Sequence, residues 1–291
     1  MRSEEDTRSA RTRGIEVRPL PTARRLAIGA DRAGRHRSTM HYLMTADVTA
    51  ARRLMAMSPE TLSLTGFVTA SVARAAAEHP TVHAYRDWRG RLIVHRHVDV
   101  MVPVQDERGS RTVFHVVRDA DARDVTRIST ELLAAETSSV SGVFERFPLL
   151  ARIPGLVRTV YTVLDRSVRL RQRMGTVMVT TTGMHDVGEA FGVPASTLMP
   201  LHVVIGSVSD RPHQTGNVIE RHDILNLTLV FDHGLVGEAE AARFATRLCS
   251  AIERAEVLHP LRTRKPWRQA IVLPQPQRAS QTASANGAHD R

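Results

Sequence analysis

Near neutral pH the side chain best suited to moving a proton is histidine, and the chain carries 14 of them. One is set apart by its surroundings. His233 follows an apolar run that ends Leu229-Val230-Phe231-Asp232, and it precedes a turn at residues 234–237 that feeds a helical pattern over residues 239–255. Rigid elements on both sides hold such a junction residue while the turn exposes it. His233 is therefore a candidate general base, the alternative being a turn histidine beside a helix cap. The other histidines have plainer readings. His95 and His97, with Asp99, alternate onto one face of an expected strand. A metal could be held there, but a half-exposed strand carries polar residues at that spacing anyway, and no cysteine or further ligand cluster is near. His202 reads as a hydrogen-bonded strand histidine, and His185, just after Gly183, as a loop residue near the mouth of a site.

These residues need elements to position them. Residues 18–37 show helical spacing after Pro19-Leu20-Pro21-Thr22, with Thr22 a suitable N-cap. Residues 41–48 alternate as a strand, and 49–57 form a helix stopped at Ser58-Pro59. Residues 65–78 predict an Ala/Val-rich helix ending at His79-Pro80. Strands are expected over 92–104 and 112–117 around the turn Asp106-Glu107-Arg108-Gly109, then a helix over 119–137. Residues 148–173 have apolar positions at helical period with basic residues opposite, which suits a packed surface helix better than a membrane-surface one. Further strands are predicted at 176–182, 201–208 and 224–231. The mixture predicts an α+β domain built on one large mixed sheet. The expected organisation is a charged tail at 1–16, one domain at 17–264, and a low-complexity tail at 265–291 that contains Pro-Gln-Pro-Gln.

Composition narrows the partners. A net charge of +10 raises nucleic acid as a partner. The cations are almost all arginine, with Lys265 the one lysine, and they are spread along the chain with local excess at Arg169, Arg171 and Arg173. With aromatics at 4%, stacking platforms for single strands are not expected, so solvated arginines, or attraction of an anionic thioester cosubstrate, are the better readings. No apolar run is long enough for a signal peptide or a membrane span. The single cysteine, Cys249, permits neither an intrachain disulfide nor a thiolate zinc site, so a reducing cytoplasm is the expected compartment and no metal cofactor is expected.

Several stretches together resemble one family. Phe231-Asp232-His233-Gly234-Leu235-Val236-Gly237-Glu238-Ala239, then Ala241-Ala242-Arg243-Phe244, resembles the F-D-H-R-x-x-D-G-A and A-A-R-F signature of dihydrolipoyl acyltransferase catalytic domains. Those are components of 2-oxoacid dehydrogenase complexes and share the chloramphenicol-acetyltransferase-like two-layer fold. Gly175-Thr176-Val177-Met178-Val179-Thr180-Thr181-Thr182-Gly183-Met184 is similar to G-T-F-T-I-S-N-L-G-M, and residues 200–206 to the strand N-P-P-Q-A-A-I-L-G-V. Arg118-Asp119-Ala120-Asp121 matches a P-V-I-R-D-A-D turn, and residues 21–27, with Arg24 and Arg25, the opening helix.

The resemblance implies acyl transfer from a coenzyme A or carrier thioester to a small thiol, hydroxyl or amine. His233 would be the general base and Thr180, at the family's serine, the oxyanion donor. It also implies a homotrimer in which His233 of one subunit faces Thr180 of a neighbour. Two departures stand out. The family aspartate four residues after the histidine is Gly237 and the glycine after it is Glu238, while the arginine after the histidine is Gly234. In the family that aspartate supports the corner through an arginine. Here Glu238 with Arg24 or Arg25 would take over, beside Asp232. No lipoyl attachment site or swinging arm is expected in this chain, which suggests another acceptor. A catalytically impaired scaffold, or a repurposed biosynthetic enzyme on the same fold, is the alternative.

Overall fold

The last strand of the chain shows how the fold is read out of the sequence. In Leu225-Asn226-Leu227-Thr228-Leu229-Val230-Phe231-Asp232 every second residue is a large hydrophobe. A strand sends alternate side chains to opposite faces, so Leu225, Leu227, Leu229 and Phe231 enter the core while Asn226, Thr228 and Asp232 take the other face. All eight are buried in the computed structural model, so both faces of this stretch are covered. The structure describes residues 28–29, 31–35, 37–105, 112–137, 154–182, 188–194, 196–215 and 218–259.

The main sheet has six strands, which we number β1 (Thr39–Asp47), β4 (Val100–Gln105), β5 (Thr112–Val117), β6 (Val177–Thr181), β7 (Leu201–Thr215) and β8 (Val218–Asp232). Their order is β1-β8-β7-β6-β4-β5. β6 runs parallel to both β4 and β7, and the other pairs are antiparallel. β2 (Tyr85–Arg86) and β3 (Leu92–Ile93) form a separate two-stranded sheet. The helices are α1 (Thr49–Met57), α2 (Leu64–Glu78), α3 (Val125–Thr137), α4 (Pro154–Arg166), α5 (Val168–Met174) and α6 (Glu238–Glu253). The expected α+β architecture on one large mixed sheet is the one found.

One core joins the sheet to α1, α2, α3 and α6. Phe67, Val68, Val72 and Ala76 of α2, with Phe244, Leu248 and Ile252 of α6, bury against Val102, Val179, Val203, Leu227 and Phe231. Phe231 is edge-on to both Tyr42 (5.9 Å) and Phe244 (5.7 Å), so the residue two before His233 clamps β8 to β1 and to α6. The described residues all belong to a unit that reaches Leu261. Among them no helix is long and apolar enough to cross a membrane.

Three expectations are corrected. The strand predicted over 92–104 is two strands in different sheets, and His95 and His97 sit in the connection between them. The chain leaves the small sheet there, and it is held by Asp121, which accepts the Val98 N–H, and by the Ala120 N–H, which donates to Val98 O. The helix predicted across 148–173 breaks at Ser167, whose extended backbone separates α4 from α5. β7 and β8 each run to 15 residues, past the predicted strands, because their outer halves are polar and pair with each other from Val208↔Leu225 to Thr215↔Val218. Backbone pairing needs no apolar pattern. The helix expected at 18–37 is described only in part, with helical turns at 28–29 and 31–34. Both expected tails, the turn at 106–109 and His185 lie outside the described residues.

Candidate active site

The corner around His233 is fixed by its backbone. The Asp232 N–H donates to Pro200 O (3.1 Å) and the His233 N–H to Ser38 O (2.9 Å), so β7 and the entry to β1 both grip the end of β8. The Asp232 side chain then accepts the Gly234 N–H at 3.0 Å, an Asx turn that reverses the chain. Leu235 and Val236 also donate to Asp232 O. Gly237 is the N-cap of α6 and offers no side-chain cap. The result is an exposed imidazole on a rigid corner, with no hydrogen bond from the His233 side chain among the described residues. The guanidinium of exposed Arg86 stands 3.1 Å from where a Cβ on Gly234 would lie, so a cation reaches the place next to the histidine from β2.

Behind the corner is a chain of alternating charges. Asp232 pairs with Arg37 at 3.1 Å, Arg37 with Asp165 of α4, and Asp165 with Arg171 of α5. All four side chains are at most one-tenth exposed. Buried charges persist only when paired and hydrogen-bonded. Arg171 satisfies this with Leu198 O (3.0 Å), Asp165 and the face of Tyr85, 5.3 Å from the ring centroid. Burial pushes its pKa down to about 10, with Asp165 opposing, so it stays charged. Arg171 thus belongs to the interior, although composition placed it with the solvated arginines. Nothing local distinguishes Arg37 or Asp165 from other surface-type charges, and Arg171 stands in the sequence only as one of a basic cluster with Arg169 and Arg173.

The remaining sequence candidates are distributed as follows. Arg24 and Arg25 lie outside the described residues. Glu238 opens α6, exposed, and its carboxylate makes no ion pair or hydrogen bond among the described residues; its carbonyl accepts the Tyr42 hydroxyl (3.2 Å). At Gly237 a Cβ would meet nothing within 4 Å. Thr180 projects from β6 with Oγ1 at 2.9 Å from His202 Nε2. Burial, and next the nearby His41, push the His202 pKa down to about 4, so the ring is neutral near neutral pH. Thr180 does not meet His233 within one chain. It registers with Val204, which registers with Thr228, four residues before Asp232 and two strands away. Strand spacings make that a separation on the order of 15 Å.

Of the metal candidates, His95 Nε2 lies 3.2 Å from the Tyr85 hydroxyl and Asp99 accepts from Arg118. Among the described residues no group of three or more histidine, cysteine or carboxylate side chains is placed to hold a metal. A cleft lined by Asp47, Arg53, Glu220, His222 and Glu253 opens at the opposite end of β1 from the corner.

The family described as 2-oxoacid dehydrogenases acyltransferase (catalytic domain) matches residues 30–143 and 169–259. Asp165 falls in the unmatched stretch between. A human protein, the dihydrolipoyllysine-residue succinyltransferase component of the mitochondrial 2-oxoglutarate dehydrogenase complex, is 28% identical over 201 residues, 67% of this chain. Its pig counterpart is 26% identical over 196 residues. The chain spans 37% of the length of either. A probable dihydrolipoamide acetyltransferase from Listeria monocytogenes superposes with a TM-score of 0.62 at 16% identity, over 84% of this chain and 97% of that one. A truncated catalytic core of the 2-oxoacid dehydrogenase multienzyme complex from Thermoplasma acidophilum gives 0.58 at 18% identity, over 83% of this chain and 99% of that one. With the family model matching well over half of the residues, the chain belongs to the 2-oxoacid dehydrogenase acyltransferase (catalytic domain) family.

Proposed function

We propose that this chain transfers an acyl group from coenzyme A, or from a carrier thioester, to a small thiol, hydroxyl or amine, with His233 as general base. The observation that carries the proposal is the corner itself: an exposed imidazole without a hydrogen-bond partner among the described residues, on a backbone held by Ser38 and Pro200 at the entries to β1 and β7, within the residues the family shares. The imidazole takes the proton of the acceptor as its sulfur, oxygen or nitrogen attacks the thioester carbonyl carbon. The Thr180 hydroxyl donates to the resulting oxyanion. When the C–S bond breaks, the departing thiolate recovers the proton from the imidazolium. Because His233 and Thr180 lie far apart in one chain, this scheme brings Thr180 from a second copy, in a homotrimer whose closed ring repeats the same contact three times. The ion pairs from Asp232 to Arg171 supply the corner support that Gly237 does not, which favours an enzyme over an inert scaffold. A reducing compartment, where Cys249 stays a thiol, suits this chemistry.

The test is thiol release from acetyl-CoA and succinyl-CoA, with dihydrolipoamide and small alcohols and amines as acceptors. His233→Ala should lower the rate by about 10²–10⁴. Equal rates for wild type and variant would sink the enzyme reading in favour of the scaffold. Light scattering that shows only a monomer at micromolar concentration would sink the shared site.

A further inference from the structure

The Thr180–His202 contact carries information about direction. β6 and β7 run in parallel with Met178 beside His202 and Thr180 beside Val204, so the two side chains stand on one face and meet diagonally. Nε2 lies 2.9 Å from Oγ1, while the other ring nitrogen, Nδ1, is buried without a partner among the described residues. His202 is only 6% exposed.

A neutral imidazole has one proton to place. Placed on Nδ1, it would make a buried N–H with no acceptor, and Nε2 would then consume the only proton of Thr180. Placed on Nε2, it donates to Oγ1 and leaves Nδ1 as a bare lone pair, the less costly orphan. The second arrangement frees the Thr180 O–H, and a hydroxyl that is already accepting donates more strongly.

We propose that His202 is a positioning residue that donates from Nε2 to Thr180 and thereby reserves the Thr180 hydroxyl proton for an anion formed on the substrate. This rests on the reading of Thr180 as oxyanion donor. The strand-filling histidine that the sequence suggests becomes the residue that sets the polarity of the site.

Two measurements test it on the full chain. Nitrogen-15 NMR of histidine-labelled protein, with the His202 signal assigned from its loss in His202→Gln, should show a neutral ring protonated on Nε2. A ring protonated on Nδ1, or a charged ring near pH 7, overturns the proposal whether or not a substrate is known. With acetyl-CoA as donor and dihydrolipoamide as acceptor, His202→Leu should lower kcat about tenfold with KM unchanged. That is less than the roughly 10²–10³ expected for losing an oxyanion donor outright. His202→Gln, which keeps a donor at this reach, should recover most of the rate. In a Thr180→Val background His202→Leu should have no further effect, and additive losses would overturn the proposal. An undiminished rate in Thr180→Val alone would instead remove the oxyanion reading, and the role of His202 with it.

Discussion

Arg37 and Asp165, 128 residues apart in sequence, form a buried ion pair directly behind the His233 corner. Arg37 reaches Asp232 with its other terminal nitrogen, so one guanidinium ties the end of β8 to α4. Gly237 brings no side chain to the corner, whereas Asp232 and Asp165, the latter in a segment outside the matched family residues, both pair with Arg37.

Arg37→Met removes the cation between two buried carboxylates, and we expect it to destabilise the fold by about 3–5 kcal/mol. Arg35→Met is the control. Its partner Asp31 is paired at the surface, with the Arg35 side chain 70% exposed, and its loss should change stability by less than about 1 kcal/mol. Urea unfolding of both variants measures the contrast, and similar small losses would show that Arg37 carries no unusual load.

Gly237→Asp should stabilise the protein. Gly237 is the N-cap of α6 with an ordinary extended backbone, no side-chain cap and open space at the Cβ position. An aspartate there can accept from an orphan N–H of the first turn, favours the helix dipole and has less freedom to lose on folding. The gain should be about 0.5–1 kcal/mol, read as a melting temperature higher by about 1–3 °C.

Gly175→Ala should be costly. Gly175 ends α5 with φ of 82° and ψ of 177°, and an added Cβ would lie 2.5 Å from Asp99 O. Both the left-handed φ and the clash oppose a side chain where the chain turns into β6. A loss of about 2–3 kcal/mol is expected in chemical denaturation.

Acid should weaken the fold between about pH 6.5 and 4. Burial above all pushes both His83 and His202 down to about 4; the neighbours His95 and His41, respectively, add to the effect, while Asp121 opposes it at His83. The unfolded chain titrates these groups near 6.5, so within this window it binds more protons than the folded protein. Stability therefore rises with pH, is complete above the unfolded value, and is lost as pH falls through the window. Each histidine contributes on the order of 3 kcal/mol to that loss. Urea midpoints at pH 7 and pH 4.5 should differ less in His202→Gln than in wild type; an unchanged difference would show that His202 is not the neutral buried group described.

How much of this was legible depends on range. The corner was readable because its signals are local. Leu225, Leu227, Leu229 and Phe231 alternate along one strand, Asp232 and Gly234 make a turn within three residues, and Phe244 and Leu248 return at helical spacing. The sequence by itself therefore determined where His233 stands and what elements flank it. The long arms of β7 and β8 escaped notice because residues such as Asp210, Arg211, Glu220 and Arg221 bury little, and a hairpin is held there by backbone bonds that no side-chain pattern records.

Only the tertiary structure decided which charges and hydroxyls meet. Nothing near Arg37 or Asp165 in sequence marks them among 40 basic and 30 acidic residues, since an ion pair between α4 and the start of β1 is chosen by topology. The Thr180–His202 bond likewise depends on the register of two parallel strands, and register shifted by a single residue would point His202 to the opposite face.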